Sequence, residues 1–239
     1  MDAATLYKAG KLDEAIEALG AALRDHPGDV RRRTFLFELL CFDGAYDRAE
    51  KQLDVIASAS SDAEMGAWLY RSTIHAERMR QEMFETDTLP RTEPPPPAVS
   101  GTLNGDPFES LTDADPRLGA RLEVFAAGEY TWIPLEHIAR VRMDPPKRLR
   151  DLLWSPVRVE PSEEMAELEL GEVLLPVLAP LSWKEEEAEL RLGRVSDWRE
   201  VDDGEVAPVG QKLLLVDGEP FPILELRELV ITGTGATED

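Results

Sequence analysis

A six-residue signature occurs twice near the start of the chain. Gly10-Lys11-Leu12-Asp13-Glu14-Ala15 returns as Gly44-Ala45-Tyr46-Asp47-Arg48-Ala49, and Leu19 returns as Leu53, at an offset of 34 residues. A repeat of this length constrains the fold strongly. Each copy is one helical unit that cannot bury its apolar face alone, so neighbours must stack. The residue types have steric reasons: Gly suits a tight interhelical turn, and a small Ala suits the place where helices touch. The flanking pattern agrees. Leu12, Ala15, Ile16, Leu19, Ala22 and Leu23 form one stripe of period 3.6. His26-Pro27-Gly28 stops that helix, and Asp29 caps a second one containing Phe35, Leu36, Phe37, Leu39, Leu40 and Cys41. Being apolar on most sides, this second helix should sit between neighbours. A third helix carries Tyr46, Ala49, Leu53 and Ile56. Ser61 or Asp62 caps a fourth, with Met65, Trp68, Leu69, Ser72, Ala76 and Met79 along it.

The offset is the tetratricopeptide period. Pro27 falls where such repeats usually carry proline, whereas the second copy has Ser61 there. Asp2 and Ala3 replace the usual apolar pair, so the first helix should be short. Residues 1–83 therefore read as a tetratricopeptide-like region of roughly two helix pairs. Three or more repeats normally stand alone, so this half must pack on something else.

Residues 84–116 read as a Pro-rich linker. Pro94 to Pro97 favour an extended, semi-rigid chain, and Ser100 to Pro107 are turn-rich. Residues 117–231 change to strand grammar. Arg121–Phe125 and Tyr130–Leu135 flank a Gly-containing turn. Ala166–Leu170 and Val173–Leu178 flank Gly171-Glu172. Lys212–Val216 and Ile223–Ile231 flank Asp217-Gly218. The fold class expected is α+β: tetratricopeptide-like helices, then a mostly antiparallel β region with short helices. Residues 232–239 read as a disordered tail.

Forty-eight Asp and Glu face 26 Lys and Arg, a net charge of -22, with most of the excess acid after residue 90. Such a field argues against nucleic acid and against an anionic membrane surface, and it suits a basic protein partner. No apolar run approaches the ~20 residues of a membrane span. Met1 to Thr5 lacks a signal-peptide pattern, and Cys41 is the single cysteine, so a cytoplasmic protein is expected. His26, His75 and His137 lack metal-ligand spacing. A Gly-x-Ser-x-Gly elbow is absent, and the acidic run around Glu185 to Glu189 lacks the alternation of a calcium loop. No cofactor, metal site or catalytic residue is expected.

Several ordered motifs carry a resemblance. They are Asp115-Pro116-Arg117-Leu118-Gly119, Gly128-Glu129-Tyr130-Thr131-Trp132-Ile133-Pro134-Leu135 and Leu149-Arg150-Asp151-Leu152-Leu153-Trp154-Ser155-Pro156-Val157-Arg158. Leu190-Arg191-Leu192-Gly193-Arg194 and Gly210-Gln211-Lys212-Leu213-Leu214-Leu215 continue it. With the N-terminal helices, these resemble the ImpE family, also called TagJ, over nearly the whole chain. The longer Pro-rich spacer is a departure. The resemblance implies a non-enzymatic accessory protein of bacterial type VI secretion. It implies binding to an N-terminal helix of the small subunit of the contractile sheath, and a link to the AAA+ unfoldase that recycles the sheath. Helix-in-groove recognition needs apolar anchors. Leu36, Phe37 and Leu40 are candidates to line a groove, with Trp132 and Trp154 as aromatic anchors, although core packing is the commoner role for such residues. The alternative is a general tetratricopeptide-like scaffold or chaperone unrelated to secretion.

Overall fold

The computed structural model describes residues 1–166, 171–201 and 204–234. Its first part is helical: α1 (Ala3–Lys8), α2 (Leu12–Asp25), α3 (Val30–Phe42), α4 (Tyr46–Ala57) and α5 (Ser61–Thr86). The short first helix is as expected, and Asp2 caps it by accepting from Thr5 N at 2.9 Å. Asp29 caps α3 by accepting from Arg32 N at 3.0 Å. The cap of α5 is Ser60, one residue earlier than expected, with its hydroxyl accepting from Ala63 N at 3.1 Å. Leu36 through Phe42 are all buried, so α3 does sit between neighbours.

The second part is a ten-stranded antiparallel sheet. Its strands are β1 (Val99–Leu103), β2 (Asp106–Asp113), β3 (Arg121–Ala126), β4 (Glu129–Pro134), β5 (Ile138–Met143), β6 (Trp154–Pro161), β7 (Gly171–Pro176), β10 (Leu213–Val216), β11 (Glu219–Pro222) and β12 (Glu228–Thr234). A separate ribbon pairs β8 (Ser196–Glu200) with β9 (Val206–Gly210), after a short α6 (Ala188–Arg191). The order across the large sheet is β11-β10-β2-β1-β12-β5-β6-β7-β3-β4. Tetratricopeptide-like helices followed by antiparallel sheet is the α+β class expected from sequence.

The expected linker 84–116 is much shorter. Phe84 is buried in α5, and β1 and β2 are strands of the sheet, leaving only residues 87–98 as connection. The turn-rich reading of 100–107 mistook a hairpin for a loop. Asn104 and Gly105 (φ 53° and 94°) make the two-residue turn between β1 and β2. Gly101 is a sheet requirement, since a Cβ there would lie 1.9 Å from the Val230 carbonyl oxygen. The connection is itself held, as Arg121 Nη2 donates to Thr92 Oγ1 at 2.8 Å.

The hairpin between β3 and β4 turns at Ala127-Gly128 as expected. Two other hairpins differ. Asp217-Gly218 does turn the chain, but the return strand is β11, not Ile223–Ile231. Pro220 and Pro222 are tolerated there because β11 is the outer edge of the sheet. Gly171 and Glu172 are not a turn; they lie in β7, opposite Val159 and Arg158 of β6. The strand expected at Ala166–Leu170 falls largely on residues 167–170, outside those described. The expected tail also starts too early, because β12 runs to Thr234, which pairs with Val99. The rest of that tail, 235–239, lies outside the described residues.

Strand β3 is buried on both sides, which separates two cores. Leu122 and Val124 join an apolar core made by the inner faces of strands from both ends of the sheet, among them Leu111, Val141, Val157 and Leu214. Phe125 faces the other way, into a core shared with the helices that includes Leu39, Phe42, Ile74 and Trp154. The sheet thus supplies the packing surface that two repeats lack. Both signature glycines lie against the segment that follows β7, not against the sheet itself. A Cβ on Gly10 (φ 75°) would lie 2.0 Å from Glu189 Oε1, and one on Gly44 (φ 68°) would lie 2.6 Å from Trp183 Cδ2.

Replacing Gly44 by Ala should therefore cost about 1–3 kcal/mol in a denaturant titration. Gly28→Ala, where the new Cβ meets nothing within 4 Å, should change stability by less than ~1 kcal/mol.

Candidate protein-binding groove

Helix α5 has two faces of unexpected character. Its first turn carries Asp62 and Glu64, which suit the positive end of the helix dipole. Its C-terminal half buries Thr73, Ile74, Ala76, Glu77, Arg80, Gln81 and Phe84 against the sheet. Its N-terminal half does the reverse and presents Met65, Trp68 and Leu69 to solvent, at 75%, 67% and 49% exposure. These three fall at i, i+3 and i+4, so they form one apolar patch on one helical face. A groove of about 190 Å³ lies beside it, lined by Trp68, Leu69, Ser72, Phe125, Gly128 and Leu174. The wall opposite α5 is the turn between β3 and β4, with Gly128 close to Ser72. Glu172 also lines the groove, which gives it an acidic edge.

The helix is held in this pose by a buried ion network. Arg80 is 1% exposed. Its Nε and Nη2 donate to the two oxygens of Glu123 on β3, at 2.6 and 2.8 Å. Nη1 donates to Glu77 Oε1 at 3.1 Å, and Nη2 also donates to the Leu178 carbonyl at 2.9 Å. Glu123 further accepts from Lys212 Nζ at 2.7 Å and from the Tyr130 hydroxyl at 2.8 Å. Lys212 also pairs with Asp113 at the end of β2. Trp154 Nε1 donates to Glu77 Oε2 at 2.9 Å. Gln81 donates to Glu77 and accepts from Leu181 N.

Burial alone would raise the pKa of Glu123, but the charges of Arg80 and Lys212 outweigh it and hold the carboxyl at about 2. Asp113 goes the other way. Burial pushes its carboxyl up to about 7, with Lys212 opposing and the Glu123 charge assisting. Burial also drives the Cys41 thiol well up, which leaves it an inert core residue.

Four of the five side chains expected to bind a partner are not available to one. Leu36, Phe37 and Leu40 are buried at 5%, 1% or less, because α3 is enclosed by its neighbours. Trp154 is buried with its indole N–H committed to Glu77. Trp132 is half-buried, donates to the Tyr130 hydroxyl and stacks near Phe84, so it supports the network. The structure does not bring these five into one surface. Of the stripe that sequence placed along α5, Met65, Trp68 and Leu69 are exposed while Ala76 is buried and Met79 packs on the core, and nothing in the residue pattern separates the two ends. Sequence reasoning did not single out Glu77 or Arg80, whose burial has no local signal.

The N-terminal half and the sheet are both accounted for by known families. Residues 105–230 match the family described as ImpE protein, and residues 6–67 match tetratricopeptide repeat. The chain belongs to the ImpE family. It is 31% identical, over 99% of its length and 93% of the other's, to the type VI secretion system accessory component TagJ of Pseudomonas aeruginosa. A crystal structure of a Vibrio parahaemolyticus protein shares the fold, with a TM-score of 0.82 at 24% identity, covering 96% of this chain and 97% of that one. No helix among the described residues is long and apolar enough to cross a membrane.

The network sets a pH signature. The folded Asp113 pKa is raised, so its contribution to stability is present below about pH 4 and is lost as pH rises through 7. The folded Glu123 pKa is lowered, so its contribution is present above about pH 4.5 and is lost as pH falls towards 2. Asp113→Asn should remove the decline in stability between pH 4 and 7, as read by urea unfolding across that range. Glu123→Ala should cost about 3–5 kcal/mol at neutral pH by leaving Arg80 and Lys212 buried with one carboxylate fewer.

Proposed function

We propose that this chain is a non-enzymatic, cytoplasmic accessory component of a bacterial type VI secretion system. Its task is to bind the N-terminal helix of the sheath small subunit, and through it to assist assembly of the sheath or its recycling by the AAA+ unfoldase. The relationship to TagJ supports the secretion role. The observation that carries the binding reading is the Met65-Trp68-Leu69 patch beside its groove. Exposed large apolar side chains on one helical face are what a helix-in-groove contact uses, and tryptophan is the residue most enriched at interface hot spots. Ionisable groups in the interior support an adaptor rather than an enzyme. Arg80, Glu77, Glu123, Lys212 and Asp113 are engaged with one another, and none lines the groove.

The acidic edge at Glu172, with Asp62 and Glu64 on the first turn of α5, favours a helix whose apolar face is flanked by Lys or Arg. Such pairs sit on the rim and speed encounter more than they add affinity.

The test is a titration of a synthetic peptide of the sheath small subunit's N-terminal helix into the full-length protein. Trp68→Ala should weaken binding by roughly 30-fold, about 2 kcal/mol, without lowering the melting temperature. Binding that is unchanged in Trp68→Ala and Leu69→Ala, or absent in the parent protein, would overturn the assignment.

A further inference from the structure

A second crevice, with the opposite character, lies further along the sheet. It has a volume of about 600 Å³, within the range of ligand-binding clefts, and it opens on the outer face of the sheet. Strand register builds its floor. Glu228 on β12 stands opposite Arg142 on β5, Arg142 opposite Arg158 on β6, and Arg158 opposite Glu172 on β7. All four line the crevice, as do Lys147 and Arg227 at its rim. One row across four strands therefore reads acidic, basic, basic, acidic. Two like charges directly opposite on neighbouring strands are unfavourable by themselves.

The carboxylates present relieve that repulsion only in part. Arg142 is paired with Glu228 at 3.0 Å and with Glu160 at 3.2 Å. Asp144 is paired with Lys147 at 2.6 Å. Asp151 is occupied by the backbone N–H groups of Lys147 and Arg148. Arg227 donates to the carbonyls of Leu224 and Leu226 and makes no ion pair among the described residues, though the Asp144 carboxylate lies near enough to feel its charge. Arg158 is exposed and makes no ion pair among the described residues. Within the row, Arg158 is therefore the guanidinium left without an ion pair among the described residues, beside an Arg142 that shares Glu228 and Glu160.

We propose that this crevice docks a helical segment of a partner protein bearing the complementary row, basic, acidic, acidic, basic, with its two carboxylates on Arg142 and Arg158. Adjacent strands are ~4.8 Å apart, so the row spans roughly 14 Å. Residues three and four apart on a helix are about 5–6 Å apart, so one helical face laid across the strands matches the row. Arginine grips carboxylates through paired N–H donors, and Pro145, Pro146 and Pro156 offer apolar walls for the side-chain stems. A small inorganic anion would fill little of the cleft and would not engage Glu172. Among the described residues, Glu172 is the one that lines both this crevice and the groove beside α5, so the two adjoin at β7 and this crevice serves a second contact.

The probe is an Ala-based helical peptide of about 16 residues, with Lys, Glu, Glu and Lys along one face at spacings of three and four. It is titrated into the full-length protein while the arginine Nε–H signals are followed by NMR. Saturable shifts of Arg158 and Arg142 are expected. Arg158→Glu should weaken binding at least about tenfold, with Arg158→Gln intermediate and melting temperatures unchanged. Trp68→Ala should leave this binding intact, which separates it from the groove. Three results would overturn the proposal: no shift up to about 1 mM peptide, equal binding of the charge-reversed peptide, or equal displacement of the signals by inorganic phosphate.

Discussion

The pairing of Arg80 with Glu123 fixes how the two parts of this protein meet. A guanidinium removed from water is tolerated only if nearly all of its donors are satisfied and an opposite charge is close. Glu123 supplies both oxygens, Glu77 a third partner and the Leu178 carbonyl a fourth. Helix α5 has few other ways to lie that satisfy these groups. Sliding or rotating it by one residue would strand Arg80 in the apolar core around Phe84 and Trp154. The sheet fixes the other end of the bond, since Glu123 sits on a strand whose alternate residues, Leu122 and Val124, are locked into the sheet's own core. The polar contact therefore determines orientation, while apolar burial on either side of β3 supplies most of the stabilisation.

That orientation explains why an apolar patch is left uncovered. Helix α5 is 26 residues long, and its C-terminal half is the part anchored to β3 and β4. The N-terminal half projects past the turn at Ala127-Gly128. Met65, Trp68 and Leu69 cannot reach the core without moving Arg80 out of its pairing. A chain that keeps three large apolar residues in water while burying charged ones on the same helix does not follow the pattern that maximises stability. That departure is the observation on which the proposed contact with a partner rests.

Much of the helical half was legible because its signals are local. The glycine turns, the Pro27 stop and the Asp29 cap act within a few residues and need no tertiary knowledge. The Ala127-Gly128 turn is local in the same way. What failed depends on contacts distant in sequence. Gly101 reads as a loop residue until Val230 is seen against it, and Pro220 reads as a strand breaker until β11 is known to be an edge. Glu77 and Arg80 went unmarked because periodicity assigns charge on a helix to the outside. Their burial follows from Glu123, 43 residues beyond Arg80. Leu36, Phe37 and Leu40 were correctly seen as apolar on a crowded helix, but apolar character does not distinguish a groove from a core.

Two repeats without a third would leave open helix ends, and the sheet part closes them with specific contacts rather than a generic apolar face. Arg191 of α6 reaches Asp13 on α2 at 2.8 Å and Asp43 beyond α3 at 2.7 Å, which ties both copies of the repeat to one guanidinium. Arg194 donates to the carbonyls at Tyr7 and Lys8, the unsatisfied end of α1. Each contact answers a feature of the repeat itself: an interhelical turn, a helix terminus, a turn glycine. A tetratricopeptide stack meets those needs with another copy of the same unit. Here they are met by side chains of a different fold, so the number of repeats stays at two and α5 is free to extend beyond the stack. The length of α5, and with it the exposed patch, follows from replacing the third repeat by a sheet.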